Sequence, residues 1–363
     1  MYCFSQRFFK RQASVFFFFS WMIVDVVADR KSINPESLSL NLKTKSEDSN
    51  QTIVFYRKSS GSAFDFHKSL NFMIEQFEVR EEMLITPNKY PKILLKIDSA
   101  TAPGLHISID LLDGLLELLK SRGYAKERVE LLFFEVDEVK RSEGFNAITE
   151  NGFYKGHRVR SPNDYDFYES NWFHDSPMPP KVHDRAKFYL RFPNDRKKRL
   201  EEERKSYLPS ALLNPDVYWI SMSNIMDDMN LGILGASSNM SLGMVSNSRR
   251  FREDPTLGAA AVTEILAIPE IWERRIFSIL DLSRFQFAGG VDFNAEFVDS
   301  SPSLLLSRNP FAVDSVAWNF LSRIRASQNL KARKKENALM FKYAQSLGLG
   351  KVDNPIIFSV SSK

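Results

Sequence analysis

The sequence predicts an α/β protein, with one large domain whose mostly parallel or mixed sheet is flanked by helices. An irregular, aromatic-rich insertion is expected at about 150–184. Three observations predict this class. Apolar strand-like runs alternate with helical patterns along most of the chain, one early segment has the form of a strand–helix–strand unit, and no internal repeat is visible. Hydrophobic residues make up 43% of the 363 residues and charged residues 26%, which is typical of a folded globular protein.

The α/β domain is predicted to span residues 52–360, and its first half contains the clearest unit. The early elements are a strand at Ile53–Tyr56 and a helix at Phe72–Met83. Ile93–Ile97 and Val129–Val136 then form two apolar strand candidates. Between them, apolar residues recur every four positions from Ile107 to Leu119, as in an amphipathic helix. A strand, a helix and a strand in this order predict a right-handed crossover between parallel strands.

The second half of the domain repeats this alternation after the insertion. Residues 150–184 are rich in proline and aromatics, so we expect a long loop that its aromatic side chains keep ordered. Asn309-Pro310 is a strong helix start, because Asn accepts hydrogen bonds from the first amides and Pro fixes φ in the first turn. The predicted elements are strands at Val217–Ile220, Ile276–Leu282 and Leu304–Leu306, and helices at Leu257–Leu266, 310–325 and Asn337–Leu347.

The N-terminus has the pattern of an export signal. Arg7, Lys10 and Arg11 precede an apolar run of about a dozen residues, and Val26-Val27-Ala28 follows with small residues at a cleavage site. The run is shorter than the roughly 20 residues of a spanning helix. We therefore predict a signal peptide at 1–28, a polar linker at 29–51, and a periplasmic or cell-envelope location with no membrane span after cleavage. A retained anchor and a mis-assigned start are the alternatives.

Charge and cysteine content exclude several classes of protein. The 49 Lys and Arg residues nearly balance the 45 Asp and Glu residues, so the overall charge indicates neither a nucleic acid nor an anionic membrane as a partner. Cys3 is the only cysteine and lies in the predicted signal, which excludes a cysteine-ligated iron–sulfur cluster. The sequence predicts no metal site, and it indicates neither a cofactor nor an oligomeric state.

The segment from about 90 to 350 resembles the domain of unknown function family 362. The resemblance lies in the order and spacing of weak motifs. They are Tyr207-Leu208-Pro209 with Asp216 and Trp219-Ile220, the glycine- and asparagine-rich segment from Gly235 to Phe251, Ile279-Leu280-Asp281 with Gly289-Gly290, Ser307 to Asp314, and Gly348-Leu349-Gly350.

The same comparison shows departures from the family pattern. Lys96-Ile97-Asp98 replaces the family's usual Lys-Pro-Asn, and Asn309 replaces an Asp. Asn224, Asp227 and Asp228 lie where the family usually has Lys and His. The resemblance implies an α/β fold but no activity, and together with the N-terminal export pattern it identifies this chain as a divergent, exported member.

Three charged residues are candidate catalytic groups because of their positions. Lys96 and Asp281 end apolar strands, and the carboxyl ends of strands line the ligand crevice of open α/β sheets. Lys96 could hold an anion or act as a base, or its stem could pack while its head reaches water. Asp281 could instead bind loop amides. Asp314 lies one turn into a helix, where the helix dipole alone favours a carboxylate.

The loop rich in Gly and Asn supplies the candidate ligand-binding residues. Asn239, Asn247 and Arg250 lie in it, together with Arg249. Such loops let backbone amides approach an anion, and Arg binds carboxylate or phosphate with two parallel hydrogen bonds. A turn-rich structural loop is the alternative, since the glycine spacing matches neither a P-loop nor a dinucleotide fingerprint.

Two function hypotheses follow. The first is an exported enzyme that acts on an anionic small molecule, with Lys96, Asn239, Arg250, Asp281 and Asp314 lining one cleft. The second is an exported, non-catalytic ligand- or partner-binding protein that uses the insertion at about 150–184 as its contact surface. Convergence of the five side chains on one pocket favours the enzyme, and an exposed apolar patch on the insertion favours the binding protein.

Overall fold

A computed structural model describes residues 52–290, 292–334 and 338–360. The predicted signal peptide and linker lie outside the described residues. Among these residues, no helix is long and apolar enough to cross a lipid bilayer.

A nine-stranded mixed sheet forms the centre of the molecule, which confirms the predicted α/β class. Its order is β15-β1-β14-β11-β8-β2-β3-β5-β4, and all strands except β14 and β4 run in the same direction. The strands are β1 (Ile53–Lys58), β2 (Lys92–Ile97), β3 (Val129–Leu132), β4 (Phe153–Tyr154), β5 (His157–Arg160), β8 (Val217–Ser223), β11 (Arg275–Asp281), β14 (Ser303–Ser307) and β15 (Ile356–Ser359).

Two layers of helices cover the sheet. On one face, α1 (Ala63–Arg80) and α2 (Ile109–Ser121) pack on alternate strand residues such as Leu95 and Ile220. The predicted stripe of α2 is buried, from Leu111 to Leu119. The other layer consists of α6 (Ala236–Asn239), α7 (Pro255–Leu266), α9 (Pro310–Ser327) and α10 (Leu339–Ser346), of which α6 contacts β8 and α9 contacts β11 and β14.

Side-chain caps start two helices of the second layer. The carboxylate of Asp254 accepts hydrogen bonds from the amides of Thr256 and Leu257, and α7 begins at Pro255. Asn309 accepts in the same way from Phe311 and Ala312, and α9 begins at Pro310 as the Asn-Pro pair predicts. These caps satisfy amides that have no partner inside the helix.

The insertion is more regular than the sequence predicts. It contains β4, β5 and β6 (Tyr168–Asp175), and β6 pairs with β7 (Lys205–Pro209) beyond its predicted end. A helical hairpin of α4 (Val182–Arg191) and α5 (Arg196–Glu203) connects β6 to β7. Besides several short 3₁₀ helices, the described residues form the short helices α3 (Val136–Val139) and α8 (Pro269–Trp272), and a small sheet of β9 (Met226–Asp228), β10 (Gly232–Leu234), β12 (Phe285–Gln286) and β13 (Val298–Asp299).

Candidate functional site

Lys96 and Asp281 lie at the same edge of the sheet. Lys96 pairs in register with Ser221, and Ser221 pairs with Ser278 of β11. Asp281 lies three residues beyond Ser278 on a strand that runs in the same direction. Both side chains therefore belong to the edge where β2, β8 and β11 end.

Lys96 is buried in a polar contact with Asn239. Its Nζ donates to Asn239 Oδ1 at 2.7 Å and to the carbonyl of Ile97 at 2.9 Å, and the residue is 1% exposed. Asn239 Nδ2 in turn donates to Ser221 Oγ at 2.9 Å. Burial lowers the pKa of Lys96 to about 8, and the charge of Asp98 partly opposes this effect. The pair joins β2 and β8 to α6.

Asp281 connects the end of β11 to the start of α2. Its Oδ2 accepts from the amide of Ser108 at 2.9 Å, and its Oδ1 accepts from the amide of Ser283 at 2.9 Å. Burial raises the pKa of this carboxyl, while the two amides and Ser283 lower it in part. Asp281 thus binds loop amides, as in the structural alternative considered for it.

Asp314 holds the first turn of α6. Its two carboxylate oxygens accept from the amides of Ala236 at 2.8 Å and Ser237 at 2.9 Å, and the Ser237 hydroxyl also donates to it. Burial raises its pKa to about 6, and the Ser237 hydrogen bonds counteract part of this rise. Gly235 precedes this turn, where a Cβ would lie 2.4 Å from Asp314 Oδ1.

Arg250 and Asn247 bind the backbone of the hairpin. Arg250 donates to the carbonyls of Glu203 at 2.8 Å and Arg204 at 2.7 Å, and to Ser206 Oγ at 3.0 Å. Burial lowers the pKa of Arg250 to about 10. Asn247 has a positive φ of 53° and donates to the carbonyl of Glu203 at 2.9 Å. The Arg250 guanidinium donates to carbonyl oxygens in this structure, and its role in binding an anion stays a prediction.

A cavity of about 520 Å³ lies where the hairpin meets the sheet. Its floor is the segment after β3 and β5, and its walls are α4, β6, β7 and the loop at 246–249. Asn247 is the only one of the six candidate residues in its lining. The lining residues are Phe134, Glu135, Pro162, Asn163, Tyr168, Asp184, Lys187, Phe188, Arg191, Glu202, Lys205, Tyr207, Ser246, Asn247, Ser248 and Arg249. We call this cavity the hairpin pocket.

The hairpin pocket contains one more cation than acids. Three of its four cations form ion pairs with its three acids: Lys187 with Asp184 at 3.1 Å, Lys205 with Glu202 at 2.7 Å, and Arg249 with Glu135 at 3.2 Å. The fourth cation, Arg191, is exposed and has no ion-pair partner in the described part of the chain. Its guanidinium lies 5.3 Å from the ring centre of Phe192.

Aromatic rings form the less polar part of the pocket lining. Tyr207 donates its hydroxyl proton to Glu202 Oε2 at 2.6 Å, and burial raises its pKa. Burial also raises the pKa of Tyr168. Burial would raise the pKa of Glu202, but the hydrogen bonds from Lys205 and Tyr207 outweigh it and lower that pKa. Both tyrosines therefore stay protonated at neutral pH, but Tyr207 already donates its one proton to Glu202, which leaves the Tyr168 hydroxyl as the tyrosine donor for a ligand.

Sequence reasoning missed most of this pocket. Asp184, Lys187, Phe188 and Arg191 follow the i, i+3, i+4, i+7 spacing of one helix face, which is the signal that could have identified them. The alternating charges of 196–205 by themselves favour a solvated helix, so they give no signal of a pocket. Among the described residues no cluster of three or more His, Cys, Asp or Glu could hold a metal ion, so the pocket offers cations and hydroxyls rather than metal ligands.

Comparisons with known proteins add no function. No protein-family model and no curated protein matches the chain. Four chains of solved structures match, and one of them is a crystal structure of a Thermotoga maritima protein determined as a structural-genomics target. It is 12% identical, with a TM-score of 0.35 over 74% of this chain. This chain spans 59% of the length of that protein.

Proposed function

We propose that this protein binds an anionic small molecule in the hairpin pocket and that binding is its primary activity. The main supporting observation is Arg191, an exposed cation that forms no ion pair with any described residue and that lies at a cavity whose lining has a net charge of +1. A pocket of about 520 Å³ lies in the range that takes metabolite-sized ligands.

The position of the pocket supports the proposal. It lies beyond the carboxyl ends of β3 and β5, and open α/β sheets bind their ligands at this edge. The tyrosine hydroxyls and the backbone around Asn247 supply further polar groups, and Phe134 and Phe188 supply apolar contacts. An anion with an apolar or ring-shaped part fits this combination.

Binding is favoured over catalysis by the placement of the candidate catalytic residues. Lys96, Asp281 and Asp314 are at most 1% exposed, and each is hydrogen-bonded to backbone or to Asn239 or Ser237. A general base must reach the proton that it removes. An enzyme that acts on the same anion therefore stays the second candidate, with turnover of the bound ligand as its signature.

The test is thermal unfolding with inorganic phosphate, citrate and adenosine monophosphate as probe anions. We expect at least one probe to raise Tm by a few degrees, since a ligand at 100 times its Kd stabilises by about 2.7 kcal/mol. R191A should abolish the rise. R128A should keep it, because Arg128 is an exposed arginine just before β3, at the opposite end of that strand. An equal rise in R191A and the parent would overturn the proposal.

We further propose that the chain is exported and is a divergent member of the domain of unknown function family 362. Support comes from the cation–apolar–small pattern of residues 1–28 and from the motif order between about 90 and 350. Expression in a bacterial host and N-terminal sequencing of the periplasmic fraction test the export. A chain that begins at Asp29 in that fraction is the expected result, and recovery of uncleaved chain from the cytoplasm alone would contradict it.

A further inference from the structure

The helix α4 has its polar and apolar faces reversed relative to an ordinary surface helix. Its inward face consists of Asp184, Lys187, Phe188 and Arg191, which line the hairpin pocket. Its outward face carries apolar side chains, which are Val182, Ala186, Tyr189 and Leu190. Ordinary surface helices bury their apolar stripe and expose their charges. The outward stripe of α4 is therefore exposed where an ordinary surface helix buries its apolar side chains.

The exposure of this stripe is large. Val182 is 81% exposed, Leu190 is 82% exposed and Tyr189 is 53% exposed, while Leu200 of the neighbouring α5 is 49% exposed. No described side chain of α4 or α5 is buried. Arg199 lies 3.9 Å above the Tyr189 ring and connects the two helices. We call the α4 surface formed by Val182, Ala186, Tyr189 and Leu190 the hairpin patch.

The surroundings of the hairpin patch carry an excess of cations. Residues 181–203 contain eight Lys and Arg against two Asp and three Glu. Arg185, Arg196 and Lys197 are exposed, and Arg185 follows Val182 by three positions on the helix. The balanced charge of the whole chain conceals this local excess of three positive charges.

This combination of charge and apolarity selects one occupant. We propose that the hairpin patch docks on an anionic lipid bilayer, with α4 lying in the plane of the interface. Exposed aliphatic and aromatic side chains enter the headgroup boundary, and surrounding cations bind anionic headgroups. Association with a second copy of this chain would bring two basic surfaces together, which disfavours a dimer. Binding to a nucleic acid would not bury the apolar side chains of Val182 and Leu190.

A position-specific fluorophore tests the proposal in the full-length chain. Ala186→Cys in a Cys3→Ser background carries an environment-sensitive dye in the patch, and Val79→Cys carries the same dye on α1. Val79 is 75% exposed, which makes it a matched control on another helix. The dye reports its own position, so attachment of the chain to vesicles through any other segment does not produce the signal.

We expect a blue shift at position 186 with vesicles that contain phosphatidylglycerol, and none with phosphatidylcholine alone or at position 79. About 1 M NaCl should suppress it, because the Debye length falls to about 3 Å. Leu190→Asp should weaken binding about tenfold, as expected for loss of one inserted leucine, and Val79→Asp should not. The absence of a blue shift at position 186, or an equal shift at position 79, would overturn the proposal. A shift produced by an oligonucleotide instead of lipid, or dimers detected by light scattering, would also overturn it.

Discussion

Substitution of Lys96 by methionine tests how the buried amine contributes to stability. Methionine keeps most of the side-chain volume and removes the titratable group. Burial lowers the pKa of Lys96 from 10.5 to about 8. Between these two values the unfolded chain holds a proton that the folded chain has lost, so stability rises with pH. The difference between the two pKa values corresponds to about 3 kcal/mol of free energy of unfolding. Of this, about 2–3 kcal/mol should be gained between pH 7.5 and pH 10.

Urea unfolding of the parent and K96M at both pH values measures this effect. The parent should gain about 2–3 kcal/mol relative to K96M on going to the higher pH. Subtracting the free energy of unfolding of K96M from that of the parent at each pH removes the contribution of other groups that titrate in this range. K92M is the control, because Lys92 begins the same strand and is exposed. A difference between parent and K96M that stays constant within about 0.5 kcal/mol would refute the assignment of a desolvated amine at this position.

Three further substitutions probe the buried contacts. D314A should lower the free energy of unfolding by about 2–4 kcal/mol, because it leaves the amides of Ala236 and Ser237 without their acceptor. A loss below about 1 kcal/mol in urea unfolding would contradict this. G235A should cost a similar amount, about 2–3 kcal/mol by the same assay, since its Cβ would lie 2.4 Å from Asp314 Oδ1; unchanged stability would show that the contact is not tight. R250M should lower the free energy of unfolding by about 3 kcal/mol, because the carbonyl groups that Arg250 binds lose their donor. It should also increase amide hydrogen exchange in 203–206, and exchange equal to the parent's would exclude this role.

The pattern of apolar residues was sufficient to predict the fold class. Buried parallel strands such as β2 and β11 are continuous apolar runs, and the stripe of α2 has the period of a helix. The insertion was harder to predict. The strand β6 is half exposed and has no buried residue, so its sequence carries neither an apolar run nor a clear alternation. Its pairing with β7 depends on residues 30 to 41 positions away along the chain.

The candidate site could be predicted from the sequence only in part. Strand ends do bring Lys96 and Asp281 to one edge, which follows from strand direction alone. Whether a polar group at that edge faces a ligand or an amide depends on how the next layer covers it, and α6 covers Lys96 through Asn239. The hairpin pocket was missed because three of its four cations are close to acids in sequence or in space, and such charge runs are typical of solvated helices.

Amide hydrogen–deuterium exchange with the probe anion that most raises Tm tests most directly where this protein binds its ligand. We expect slower exchange in peptides that cover 184–191 and 246–249, and unchanged exchange in 94–98 and 278–283 at the buried strand ends. Slower exchange at the strand ends with no change around Arg191 would contradict the account and would place the ligand at Lys96 and Asp281 instead.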